Sequence, residues 1–218
     1  MKKKIGVVLS GCGVRDGSEI HEAVLTLLAI DRNGAEAVCI APDMDFSEVN
    51  HLTMKETGAR RNVLVEAARI ARGNIRNIKE IKAADLDAVI FPGGFGAAKN
   101  LCDFAEKGAG AAIQPDVARL IREMAAAKKP IGAICIAPAL IAAALGKEYA
   151  PAVTIGTDAG TASAIEQTGS KHLACPVREF VVDKENKIVS TPAYMLANRI
   201  SEAAEGIEKT VKAVLDLI

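Results

Sequence analysis

Residues 130–146 read PIGAICIAPALIAAALG, and this stretch decides the fold. The apolar run at residues 130–134 predicts a short buried strand, and the alanine-rich run at residues 136–145 predicts a helix that ends at Gly146. Cys135, the one residue between them, therefore lies at a sharp turn from strand to helix. A buried strand followed at once by a helix is typical of proteins in which helices cover a parallel sheet.

The alternation of strand and helix continues on both sides of this stretch. It predicts an α/β fold with a doubly wound, mostly parallel sheet. Residues 46–58 are polar and irregular and predict an excursion from the sheet, whereas residues 180–190 alternate around a turn and predict a hairpin. Further strands are predicted over residues 5–9, 37–41 and 88–91, and further helices over residues 19–33, 61–72, 115–128 and 193–217.

Length and composition agree with this fold class. The chain has 218 residues, which suits one α/β domain over residues 1–218. Half of the residues are hydrophobic, yet only 3% are aromatic and tryptophan is absent. The core must therefore be built from alanine, valine, isoleucine and leucine, a mixture that suits buried parallel strands under alanine-rich helices.

Charge and cysteine content exclude several classes of function. Lys plus Arg and Asp plus Glu each number 27, so the net charge is zero and no nucleic-acid partner is expected. No apolar run approaches the roughly 20 residues of a membrane span, and the apolar start at residues 5–9 is too short for a signal peptide. The five cysteines are odd in number and form no CxxC pair, so we expect no metal site, no disulfide framework and a cytoplasmic location.

The candidate site lies where several predicted strands end. In doubly wound sheets, ligands bind beyond the carboxyl ends of the strands. That rule selects residues 10–18, 42–58 and 92–99, together with the turn at Cys135. At this turn the thiol would meet a helix N-terminus, whose partial positive charge favours the thiolate and hence a nucleophile. A buried structural cysteine is the alternative.

Two glycine-rich loops lie at the same edge. Gly93 and Gly94 follow a strand and allow backbone N–H groups to turn inward, so the N–H groups of Gly94 and Ile136 could hold an oxyanion beside Cys135. The alternative is a glycine turn that needs a positive φ. The other loop, residues 11–17, is a G-x-G-x-x-x-G variant of the dinucleotide fingerprint, and its spacing makes it a weak signal.

Acidic residues begin the first predicted helix. Glu19 and Glu22 lie in its first turn, where the helix dipole stabilises carboxylates at a solvated surface. The same turn opens at the edge that carries Cys135, so one of these carboxyls could act as an acid or base, with a pKa raised by burial. None of the three histidines, His21, His51 and His172, is adjacent to Cys135 or shows metal-ligand spacing, so a surface or capping role is expected for each, and contact of His21 with the site stays open.

Six stretches together resemble the ThiJ/PfpI superfamily, which is related to class I glutamine amidotransferases. The likeness is greatest to its ElbB branch, the "enhancing lycopene biosynthesis" or glyoxalase-like proteins, and it extends over essentially the whole chain. The stretches are IGVVLSGCGVRDGSEIHEAVLTLLA at 5–29, PGGFGAAKNL at 92–101, CIAPA at 135–139, TIGTD at 154–158, ACPV at 174–177 and KIVSTPAYML at 187–196.

The resemblance implies a flavodoxin-like sandwich that forms a homodimer. It also implies that Cys135 is the family's elbow cysteine, Glu22 its helix glutamate and Gly94 the glycine of its oxyanion loop. Two departures matter. Ile136 stands where peptidase-like relatives carry histidine, and residues 191–194 lack the His-x-Glu of amidotransferases. Peptidase or glutaminase activity is therefore not expected.

The first functional hypothesis is a weak, glyoxalase III-like lyase that needs no cofactor. It would convert a small 2-oxoaldehyde plus water to a 2-hydroxy acid, with Cys135 as nucleophile, Glu22 as proton shuttle and Gly93, Gly94 and Ile136 around the substrate oxygen. The second is a non-enzymatic redox sensor or accessory protein linked to isoprenoid biosynthesis. A third, nucleotide binding by residues 11–17, has the least support.

Overall fold

The computed structural model describes residues 2–218, which fold around a seven-stranded sheet. The strand order is β10-β11-β7-β6-β1-β2-β5, and every pair is parallel except the β10–β11 hairpin. The strands are β1 Lys4–Val8, β2 Glu36–Ala41, β3 Asp45–Asn50, β4 Lys55–Asn62, β5 Arg76–Asn77, β6 Ala88–Phe91, β7 Ile131–Ile134, β8 Ala152–Val153, β9 Lys171–His172, β10 Val181–Asp183 and β11 Ile188–Thr191.

Helices cover both faces of this sheet, so the predicted flavodoxin-like α/β sandwich is confirmed. One apolar core lies under α1, α2 and α8, and the other under α3, α5 and α6. Alternate residues of a central strand enter the two cores: Val7 of β1 packs in the first and Val8 in the second. The helices are α1 Ile20–Arg32, α2 Val63–Ile70, α3 Phe95–Lys99, α4 Phe104–Lys107, α5 Pro115–Ala126, α6 Ala137–Tyr149, α7 Ala159–Gln167 and α8 Ile200–Asp216.

Three sequence predictions about elements need correction. Residues 46–58 are not irregular, because β3 and β4 form an antiparallel hairpin outside the main sheet. Residues 51–60 are all exposed, so no apolar alternation marks these strands. The last helix begins at Ile200 rather than at residue 193, since Ala193 has φ +41° and starts a short 3₁₀ turn.

The third correction concerns Gly146, which does not end helix α6. The helix continues to Tyr149, and Gly146 instead lies against the segment after α7. A Cβ at this position would lie 2.6 Å from Oγ1 of Thr168, so only glycine allows this close approach. Among residues 2–218, no helix combines the length and the apolar character needed to cross a membrane.

The parallel topology determines where the candidate site lies. Strands β11, β7, β6 and β1 are neighbours and run in the same direction, so their carboxyl ends meet at one edge. The segments that follow them begin at Pro192, Cys135, Pro92 and Leu9. Three of the four loops selected from the sequence, those after β1, β6 and β7, are thus placed side by side with the segment that follows β11.

Candidate active site

Cys135 occupies a strained elbow between β7 and α6. Its φ is +63°, in the left-handed region that residues with a Cβ adopt rarely. The backbone N–H of Cys135 donates to the carbonyl oxygen of Thr191 at 2.9 Å, which ties the elbow to the adjacent strand. The residue is 7% exposed and packs in the apolar core under α1 and α8. This geometry resembles the strained turns that present nucleophiles on other α/β sheets.

Glu22 reaches the same place from helix α1. It is fully buried, and its carboxyl group lies beside the thiol of Cys135, with Gly93 next to both groups. Oε2 accepts a hydrogen bond from the N–H of Gly93 at 2.9 Å, and Oε1 accepts one from the N–H of Tyr194 at 3.1 Å. Glu19 caps the helix, since its Oε2 accepts the N–H of Glu22 at 2.7 Å. Helix α1 therefore begins at the cap formed by Glu19, and its first turn places Glu22 beside the thiol of Cys135.

Backbone N–H groups surround the sulfur of Cys135. Those of Gly94 and Ile136 are both directed at Sγ, so an anion formed there would find two donors. Gly93 fills the gap between the thiol and the carboxyl. A Cβ on it would lie 2.5 Å from Oε2 of Glu22 and 3.0 Å from Sγ of Cys135. The structure thus brings together all five residues selected from the sequence.

The loop of residues 10–18 and the segment of residues 93–96 are joined through main-chain atoms. The N–H of Glu19 donates to the carbonyl of Gly93 at 2.9 Å, and the N–H of Gly96 donates to that of Gly17 at 2.9 Å. A third bond runs from the N–H of Phe95 to the carbonyl of Val14 at 2.8 Å. Gly94 has φ +94°, and a Cβ there would collide with the backbone of Gly17 and Glu19.

Burial changes both acids of the site. It raises the pKa of Glu22 from its ordinary 4.5 to about 8, and the neighbouring Glu19 raises it further. Burial, followed by the charge of Glu22, raises the pKa of the Cys135 thiol well above its usual range. The expectation that the helix N-terminus makes this thiol acidic is therefore wrong. Desolvation outweighs the N–H groups of Gly94 and Ile136, which act in the opposite direction.

Tyr194 is the contact that sequence reasoning missed. Its backbone N–H binds Glu22, and its hydroxyl group lies 2.8 Å from Nδ1 of His21. His21 thus lies beside the site, bonded to Tyr194. Residues 187–196 carry part of the family resemblance, but their pattern does not predict the positive φ of Ala193, which precedes the N–H bound to Glu22.

The other candidate features do not join the site. In the loop of residues 11–17, the N–H of Gly13 donates to the carbonyl of Ser18 and that of Gly17 to the carbonyl of Gly13, so these donors are already engaged and do not cradle a phosphate. His51 lines a separate cavity, and Nε2 of His172 accepts the N–H of Ile155. Among residues 2–218, no group of three or more His, Cys, Asp or Glu side chains could hold a metal ion.

Comparison with known proteins relates this geometry to a family. The chain is 45% identical, over 99% of its length and 84% of the relative's, to the mitochondrial ES1 protein homolog of Rattus norvegicus. It is also 45% identical, over 98% of its length and 83% of the relative's, to the mitochondrial glutamine amidotransferase-like class 1 domain-containing protein 3 of Homo sapiens. The cytoplasmic location expected from the sequence is contradicted, because these relatives are mitochondrial proteins.

Solved structures give the same assignment. An isoprenoid biosynthesis protein with an amidotransferase-like domain from Ehrlichia chaffeensis superposes with a TM-score of 0.94 at 38% identity, covering 99% of both chains. A glyoxalase III from Candida albicans superposes with a TM-score of 0.64 at 14% identity, covering 99% of this chain and 97% of that one, a likeness of fold alone. The DJ-1/PfpI family model matches residues 12–193. The chain therefore belongs to the DJ-1/PfpI family.

Proposed function

We propose that the protein is a glyoxalase that converts small 2-oxoaldehydes and water to 2-hydroxy acids without a cofactor. The observation that carries this proposal is a fully buried carboxyl group, with a pKa of about 8, that lies beside the thiol of Cys135 at Gly93. A carboxyl of this kind can both give and take a proton near neutral pH. Two backbone N–H groups at the sulfur complete a site for addition to a carbonyl.

The first step is addition of sulfur to the aldehyde. The thiol proton of Cys135 passes to the carboxylate of Glu22, and the sulfur forms a bond to the aldehyde carbon. The carbonyl electron pair moves onto oxygen, where the N–H groups of Gly94 and Ile136 stabilise the charge, each donor being worth about 3 kcal/mol. The proton held by Glu22 then neutralises this oxygen and gives a hemithioacetal.

Proton transfer between the two carbons follows. The Glu22 carboxylate removes the hydrogen of the first carbon, which gives an enediolate, and returns that proton to the second carbon, while the hydroxyl proton on the oxygen of the first carbon passes to the oxygen of the second. The first carbon is thereby oxidised to a thioester while the second is reduced to an alcohol, so no external electron acceptor is needed. Water then cleaves the thioester, releasing the 2-hydroxy acid and restoring the thiol of Cys135.

The alternative, a redox-sensing or accessory role, has less support. A peroxide sensor reacts as a preformed thiolate, whereas the raised pKa of the Cys135 thiol keeps it protonated until a base such as Glu22 removes the proton. The link to isoprenoid biosynthesis rests on what the Ehrlichia chaffeensis relative is called. Attack on amides is disfavoured as well, because Ile136 leaves no histidine beside the nucleophile to protonate a leaving amine.

The pH profile of turnover tests the proposal. Below about pH 8 both Glu22 and Cys135 are protonated, and the reactive pair forms only when one proton leaves. With purified protein, methylglyoxal and no glutathione, kcat/KM for lactate formation should rise about tenfold for each pH unit up to about pH 8. Absence of lactate, or a rate independent of pH between 5 and 8, would overturn the proposal.

We also propose that the protein forms a homodimer through helix α1. Ile20, Val24 and Leu28 follow one another at helical spacing and are exposed by 43%, 47% and 38%. Burial of such a stripe by a second copy removes apolar surface from water. The first turn of this helix also carries Glu22, so contact with a second copy would help to hold Glu22 in place beside Cys135. Light scattering that gives the mass of a monomer at micromolar concentration would contradict this assignment.

A further inference from the structure

A cavity of about 410 Å³ lies beside the loop of residues 11–17, and neither Cys135 nor Glu22 lines it. The β3–β4 hairpin and the start of α2 close it, and its wall includes Cys12, Asp16, Phe46, Glu48, Arg61 and Glu66. Its volume is within the range of small-molecule sites. None of these side chains takes part in the reaction proposed above.

The charges in the cavity wall do not balance. The carboxylate of Glu66 is paired with Arg69 at 2.9 Å and with Arg61 at 3.3 Å. Glu48 is paired with Arg61 as well. The remaining carboxylate, that of Asp16, has no arginine or lysine within ion-pair distance in the described part of the chain, residues 2–218. Buried carboxylates are normally paired, so this one is unusual.

Asp16 also has an oxygen without a donor. Its side chain is 8% exposed, and its Oδ2 accepts the N–H of Val49 at 2.8 Å. Oδ1 receives no hydrogen bond from residues 2–218. Nε2 of His51 lies 3.8 Å from it but already accepts the N–H of Arg15, while Nδ1 of His51 donates to the carbonyl of Val49. In this arrangement neither ring nitrogen of His51 donates a hydrogen bond to Oδ1 of Asp16.

We propose that this cavity binds a small organic cation, a primary amine whose ammonium group pairs with Asp16. An ammonium nitrogen supplies both the charge and the N–H donor that Oδ1 lacks. Arg61, the arginine of the wall, is paired with both Glu48 and Glu66, so an anionic ligand would find no free arginine there. Binding is independent of the chemistry at Cys135.

Three four-carbon compounds that differ in charge test this site. Putrescine, 1,4-butanediol and succinate are titrated into the full-length protein by calorimetry. Putrescine should bind, while the neutral diol and the dianion should not. Asp16→Asn should weaken putrescine binding by about tenfold or more, because a buried ion pair is lost. The control Asp31→Asn, on the exposed face of α1, should leave binding unchanged.

A measurement on the unmodified chain covers the case in which Asp16→Asn fails to fold. Putrescine at twice its dissociation constant should slow alkylation of Cys12 about threefold, as followed by peptide mass mapping. Cys175, which lies outside the cavity, should react at the same rate with and without putrescine. The proposal would be overturned by equal binding of all three compounds, by binding of none, or by alkylation of Cys12 at the same rate with and without putrescine.

Discussion

Cys135→Ala is expected to reduce conversion of methylglyoxal to lactate at least about 1,000-fold, to the rate without protein. In the proposed reaction the sulfur carries the substrate from the first addition to the final hydrolysis, so no later step can proceed without it. The N–H groups of Gly94 and Ile136 would remain, yet they stabilise only an adduct that can no longer form. Lactate formation over time, with glutathione absent, measures the effect.

A second thiol provides the control for this variant. Cys39 is half-buried on β2, away from Glu22, and Cys39→Ala should retain the full rate. Circular dichroism and thermal unfolding of both variants would establish that the fold is intact. Comparable activity of Cys135→Ala and the wild-type protein would show that the conversion takes place elsewhere.

Glu22→Gln should remove a large pH dependence of stability. The folded protein holds a proton on Glu22 up to about pH 8, whereas the unfolded chain releases it near the ordinary 4.5. Between these values unfolding releases one proton, so the free energy of unfolding falls by about 1.4 kcal/mol for each pH unit gained. Below pH 4.5 this contribution to the free energy of unfolding is fully present, and it is lost progressively as the pH rises toward 8. Glutamine carries no such proton.

Denaturant unfolding of the two proteins between pH 4 and 9 measures this difference. Titrating groups away from Glu22 contribute equally to both proteins, so subtraction isolates Glu22 together with the Cys135 thiol, whose pKa the charge of Glu22 raises. Glu185→Gln, on an exposed turn, should reproduce the wild-type curve. Parallel curves for wild type and Glu22→Gln would mean that the carboxyl is ionised in the folded protein, and the proton shuttle would lose its basis.

The elbow at Cys135 can be predicted because the strand before it and the helix after it are each indicated by a local sequence pattern. An apolar run and an alanine-rich helix form wherever the chain provides them, and the parallel sheet then places Pro92–Gly94 beside the turn. The same topology brings in Glu22, since helix α1 begins at the shared edge. These inferences need only periodicity and the direction of the strands.

What could not be predicted depends on packing between distant segments. The thiol of Cys135 is less acidic than a helix N-terminus implies, because desolvation is a property of the whole core. The N–H of Tyr194 reaches Glu22 only through the turn at Ala193, whose positive φ is imposed by its neighbours. Strand β4 could not be predicted because almost all of its residues are exposed, so no alternation of apolar and polar residues marks it in the sequence.

The main-chain bonds that join residues 13–19 to residues 93–96 have a consequence for how this site could evolve. The donors and acceptors belong to the backbone, so the alignment of Glu22 with Gly93 and Gly94 does not depend on which side chains the loops carry. Val14 and Phe95 take part only through their backbones and expose their side chains by 37% and 42%. If the proposed glyoxalase reaction is correct, substrate preference can diversify at such outer positions while the alignment of Glu22 with Gly93 and Gly94 is inherited unchanged.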